Sequence, residues 1–159
     1  MGPDGALYIA DWSNPIIQHG EVDFRDKRRD HVHGRIWRLS YKGRAKVIKI
    51  DLTHLNVEGL LEKLKSPNGF QREKARRLLK ERGEIKVLPM LKEWVSKQVE
   101  EQMLLEGLWI YQSLDVVNKE LLDQLLEAKD GRVRTAAVQV NSEWHSRITD
   151  VEGLSLIHI

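Results

Sequence analysis

Three histidines, five acidic residues and an asparagine crowd into residues 11–35 of this 159-residue chain. Asp11, Asn14, Asp23, Asp26 and Asp30 carry hard oxygen donors of the kind calcium prefers, although their spacing follows no calcium loop. His31 and His33 stand two apart, so an extended backbone points both to one side. There they can bind a metal or work as acid and base, or only hydrogen-bond to backbone as strand-end histidines often do. Arg35, beside Gly34, offers a guanidinium fork for a carboxylate on a bound molecule; packing on Trp37 or Trp12 is its plainer use. His19, after Pro15-Ile16-Ile17, is a further candidate, and Asp11 at a strand end can simply close a turn.

The elements that would position these groups are legible on either side of them. A Gly2-Pro3-Asp4-Gly5 turn feeds an apolar run, Ala6 to Ala10, that stops at Asp11-Trp12. The loaded polar loop follows, and Gly34 to Leu39 reads as a second strand. Turn, strand, long loop, strand is the pattern of one β-propeller blade, so the chain is expected to begin inside a terminal blade, incomplete over residues 1–50, of a larger protein. Val47 to Leu52 is the last strand-like run.

Beyond residue 50 the apolar period changes from two to about 3.6. Asn56 caps a short helix with Leu60, Leu61 and Leu64. A second helix is expected from about Phe70 to Arg82, burying Phe70, Ala75, Leu78 and Leu79 and stopped by Gly83. A third covers Ile85 to Lys97 with Leu88, Leu91, Trp94 and Val95 inward and Pro89 in or near its first turn. Leu104, Leu108 and Ile110 mark a fourth, Glu100 to Leu114. Asn118 caps a fifth with Leu121, Leu122, Leu125 and Leu126, and Asp130 a sixth with Val133, Ala136, Ala137 and Val140.

A small residue recurs in these helices at Ala75, Gly107 and Ala137, and Arg72, Leu104 and Arg134 stand three before it. That regularity predicts stacked helix pairs over residues 52–146; Asp130-Gly131-Arg132-Val133-Arg134-Thr135-Ala136-Ala137 resembles the first helix of a short HEAT repeat. An ordinary bundle with accidental spacing is the alternative. The expected fold is thus mixed: β-strands of a last propeller blade, then an all-α HEAT-like helical solenoid. The final residues, Leu154 to Ile159, match the translation of a transposon sequencing adapter and are expected to be a non-native tail.

Composition narrows the function. The chain is 41% hydrophobic and 31% charged, a globular balance, and no apolar run nears the ~20 residues of a membrane span. Without cysteine, thiol catalysis, Cys-ligated zinc and c-type haem attachment are excluded within this chain. The net charge of +2 conceals a basic first third. Asp23, Asp26 and Asp30 interleave Arg25, Arg28 and Arg29, so internal ion pairs rather than nucleic acid are the expected partners of those arginines.

The order of blade and helices resembles a family of large secreted bacterial proteins named as membrane-bound dehydrogenases. The likeness rests on Gly2 to Trp12, Asn14-Pro15, Gln18-His19-Gly20, Arg28-Arg29-Asp30-His31 and His33 to Leu39. It is close over residues 2–41 and looser over 52–146. The family's propellers are similar to those of sugar dehydrogenases that use pyrroloquinoline quinone. The resemblance implies a quinone- and calcium-dependent oxidoreductase acting on a sugar or other alcohol. His19, His33 and Arg35 would then face the cofactor, and Asp11, Asn14, Asp30 and His31 the metal. It also implies a periplasmic or secreted parent, haem c only where a downstream Cys-x-x-Cys-His module exists, and helices serving as spacer or protein-binding module. A propeller that binds carbohydrate or protein without chemistry is the competing expectation.

Overall fold

The computed structural model describes residues 2–12, 23, 25–43 and 50–148. The chain divides into two compact units, residues 1–50 and 51–159. The strand-like run at 47–49 and the tail at 154–159 lie outside the described residues.

In the first unit, β1 (Leu7–Trp12) and β2 (Gly34–Leu39) form an antiparallel pair. The register sets Leu7 opposite Leu39, Ile9 opposite Trp37 and Asp11 opposite Arg35. Strand β1 therefore runs two residues further than the apolar run suggests, because Asp11 and Trp12 find backbone partners across the ladder. The turn before β1 is closed by Gly2 N–H donating to Ala6 O and Gly5 N–H to Gly2 O. Gly5 takes a φ of +74°, a left-handed conformation that glycine adopts without steric cost.

The second unit is helical: α1 (Val57–Lys63), α2 (Gly69–Arg82), α3 (Glu84–Ser96), α4 (Glu101–Ser113), α5 (Lys119–Leu126) and α6 (Gly131–Trp144), then a single 3₁₀ turn, His145–Arg147. No helix among the described residues is long and apolar enough to cross a membrane. Four helices start where a short polar side chain accepts an otherwise unpaired amide: Asn56 from Gly59, Asn68 from Phe70, Asn118 from Leu121 and Asp130 from Arg132. Gly83 at φ +81° separates α2 from α3.

Each helix packs on near neighbours. Helix α1 contacts α2 and α3, α2 contacts α3 and α4, α4 contacts α3, α5 and α6, and α5 contacts α6. Helix α4 is central, which is why Leu104, Leu105, Leu108, Ile110 and Tyr111 are all buried on it. The core also takes Leu60, Leu61, Leu64, Leu79, Leu91, Leu122 and Leu125, each worth roughly 1.5–3 kcal/mol when removed from water.

Gly107 sits where α4 meets α3: an added Cβ would lie 2.5 Å from Val95 Cγ2. Ala75 and Ala137 are fully buried. Two arginines repeat one task. Arg72 Nη1 donates to the Ser66 carbonyl and Arg134 Nη1 to the Ala128 carbonyl, each tying a helix's first turn to the chain six residues earlier.

Several details depart from expectation. Phe70, Leu88, Val95 and Ala136 are half-buried rather than buried, while Val87 takes the inward place on α3. Pro89 falls in the second turn of α3. Its missing amide would have bonded to Ile85, which is 91% exposed, so solvent can serve the orphaned carbonyl.

Candidate functional site

Asp4 gathers the first unit's turn and both strands. Its carboxylate accepts from Ala6 N–H at 3.1 Å, Tyr8 O–H at 3.0 Å and Arg38 Nε at 2.7 Å. Arg38 foremost, with the Ala6 amide, lowers its pKa to about 2. An ionised group in such a setting ties turn to strand. A Gly-Pro-Asp-Gly sequence signals the turn but not the cross-strand arginine, so sequence reasoning missed this role.

At the other end of the ladder, Asp11 Oδ2 accepts the Trp37 indole N–H at 3.0 Å. The Arg35 guanidinium carbon lies 5.8 Å from the centre of the Trp37 ring. Asp11, Arg35 and Trp37 thus meet on one face, with Leu7, Ile9 and Leu39 continuing it. Arg35 makes the aromatic contact that was its plainer expectation, and Asp11 is directed at an indole.

The loop's carboxylates are engaged close to home. Asp26 pairs with Arg28 through Nε at 3.0 Å and Nη2 at 2.8 Å, and also accepts the Arg28 amide. Arg28, through that side-chain pairing first and then its amide, brings the Asp26 pKa to about 2. Asp23 accepts the Arg25 amide. Asp30 accepts the amides of Val32 and His33 at 3.0 Å, and its Oδ2 lies 2.9 Å from His33 Nδ1. The Val32 amide, then that of His33, holds its carboxyl below the ordinary range. His31 is exposed. Asn14 and His19 lie outside the described residues.

A calcium ion needs six to eight oxygens converging on one point. Among the described residues no group of three or more His, Asp or Glu side chains is placed to hold a metal, and Asp26 and Asp30 already serve arginine and backbone amides. The described residues alone therefore do not fit calcium. For a quinone's carboxylates, Arg35 and His33 offer donors on β2 and immediately before it.

The helical unit holds two polar clusters that sequence reasoning did not single out. Glu106 on α4 is 1% exposed and receives Arg76 of α2 through two hydrogen bonds, 2.7 and 2.6 Å. The Arg76 guanidinium lies 4.8 Å from the centre of the Trp109 ring. Between α1 and α3, Glu62 Oε1 accepts both the Trp94 indole N–H at 3.0 Å and Lys65 Nζ at 2.9 Å. Lys65 Nζ lies 5.7 Å from the centre of the Trp94 ring.

Residues 1–43 match a family described as a domain of unknown function (DUF7133). No curated protein matches the chain, and no solved structure does.

Proposed function

We propose that this chain is the last blade and adjoining helices of a secreted or periplasmic propeller protein, an oxidoreductase that uses a quinone and calcium on a sugar or other alcohol. The observation that carries the reading is the first unit itself. Two register-matched strands are joined through a connection far longer than a hairpin needs, and long connections of that kind are usually functional or disordered. The resemblance of residues 2–41 to the dehydrogenase-type propellers supports it. A propeller site is assembled by loops from several blades around a central channel, so one blade supplies part of the donor set. In this reading His19, His33 and Arg35 approach the cofactor, and Asp11, Asn14, Asp30 and His31 approach the metal.

The helices are read as a HEAT-like solenoid acting as spacer or interaction module. Support comes from the duplicated arginine latch at Arg72 and Arg134, the duplicated caps Asn68 and Asp130, and packing between near neighbours.

A second reading is favoured by the way Asp26 and Asp30 serve their own loop: a propeller and helices that bind carbohydrate or protein without chemistry. Dye reduction separates the two. The longer protein containing this chain, loaded with calcium and pyrroloquinoline quinone, is expected to reduce an artificial acceptor with sugars or alcohols, and the 159-residue chain alone is not. Turnover by the chain alone, or none by the loaded longer protein across both substrate classes, would overturn the proposal.

A further inference from the structure

The cleft between α1 and α3 has a volume of about 260 Å³ and is lined by Leu61, Glu62, Lys65, Met90, Glu93 and Trp94, with Glu58 at its rim. Trp94, 7% exposed, lines it, and its indole is oriented by the hydrogen bond to Glu62. A cation already lies over that ring: Lys65 Nζ, held by the same Glu62 oxygen. That pairing with Lys65, then the Trp94 bond, keeps the Glu62 carboxyl below its ordinary range.

The chain contains a second version of this arrangement, closed by an arginine. At the contact of α2 and α4, Arg76 forks onto Glu106 and stacks over Trp109. Guanidinium suits both partners, because its planar donors match a carboxylate and its face stacks on an aromatic ring. In the α1–α3 cleft the Glu and Trp are present, but a lysine from the same helix end fills the third place through one carboxylate oxygen. The cleft lies on the surface and holds three carboxylates, Glu58, Glu62 and Glu93, against two lysines, Lys65 paired with Glu62 and Lys97 paired with Glu93, which leaves an excess of one negative charge.

We infer that this cleft is a docking site for an arginine side chain of a basic segment in a partner protein. The incoming guanidinium displaces Lys65 from Trp94 and takes Glu62 as its carboxylate. The inference rests on the interaction role proposed for the helices and is independent of the propeller's chemistry.

The test is a titration of the whole chain with a blocked glycine–serine peptide carrying two arginines, against the same peptide with glutamines. The Trp94 indole N–H resonance, assigned through Trp94→Phe, is the readout. The arginine peptide is expected to shift that resonance saturably and to bind roughly tenfold or more tightly than the glutamine peptide. Glu62→Gln should abolish the preference while the helical circular dichroism is retained. Lys65→Ala should tighten binding, since it removes the internal competitor. Equal binding of both peptides, an unmoved Trp94 resonance, or weaker binding by Lys65→Ala would overturn the inference. Saturable shifts confined to other helices would leave the interaction role standing and refute this site.

Discussion

Replacing Gly107 by alanine separates backbone propensity from packing at the α3–α4 contact. The new methyl would stand 2.5 Å from Val95 Cγ2 and 3.7 Å from a Trp94 ring carbon. Carbon atoms in contact prefer about 3.5–4.0 Å, so the first of these must open by about 1 Å. Val95 is β-branched and holds one strongly preferred rotamer in a helix, so α3 and α4 have to part. Overpacking of this size costs about 1–3 kcal/mol. Against it, alanine in place of glycine inside a helix gains about 1 kcal/mol. The net expectation for Gly107→Ala is a loss of about 1 kcal/mol, or about 4–8 °C in Tm for a domain of this size. In a Val95→Ala background the obstructing methyl is gone and the same change should stabilise by about 1 kcal/mol. Urea unfolding followed by far-UV circular dichroism on the four proteins of the cycle measures both. A gain from Gly107→Ala in the unaltered chain, or the same effect in both backgrounds, would refute the close approach.

Three further outcomes follow from single sites. Gly83→Ala places a side chain at φ +81° with nothing within 4 Å of its Cβ, so the cost is backbone strain alone. With ψ at 164° this is a backbone region that essentially only glycine occupies, and a loss of about 1–3 kcal/mol is expected on urea unfolding; an unchanged midpoint would contradict it. Arg76→Ala leaves the buried Glu106 facing only the more distant Arg72, whose Nε lies 3.9 Å away; a loss of up to about 3 kcal/mol is expected, with a shift in tryptophan emission as Trp109 loses its guanidinium. Asp4, lowered to about 2 in the fold from 3.8, contributes stability that is fully present above pH 3.8 and is lost as pH falls through about 2. The Tyr8 ring resonances should therefore move in that window in the native chain and stay still in Asp4→Asn.

The helices were legible because their signals are local. Asn56, Asn118 and Asp130 precede apolar periodicities, and each cap bonds an amide two or three residues on. Gly107 was legible as a close approach because it falls in a series of small residues, Ala75, Gly107 and Ala137, each followed three residues on by an apolar one. Glu106 was not: a glutamate inside a helix reads as solvent-facing, and the arginines that pair with it, Arg76 and Arg72, lie thirty residues or more away on α2. The residue types of the loaded loop were legible, but not what its carboxylates engage. Asp26 and Asp30 bond amides two residues ahead, a use of aspartate that leaves the same sequence trace as a ligand. Asp11 meets Trp37 only because the register brings β1 and β2 together.

Cofactor binding tests most directly the proposal that residues 1–43 belong to a quinone-dependent oxidoreductase. Pyrroloquinoline quinone would be titrated by absorbance into the longer calcium-loaded protein and into its His33→Ala and Arg35→Ala variants, with Tm measured on each. The account predicts saturable binding by the unaltered protein and weaker binding by both variants at unchanged Tm. No binding by the unaltered protein, or variants that bind equally well but melt earlier, would contradict it.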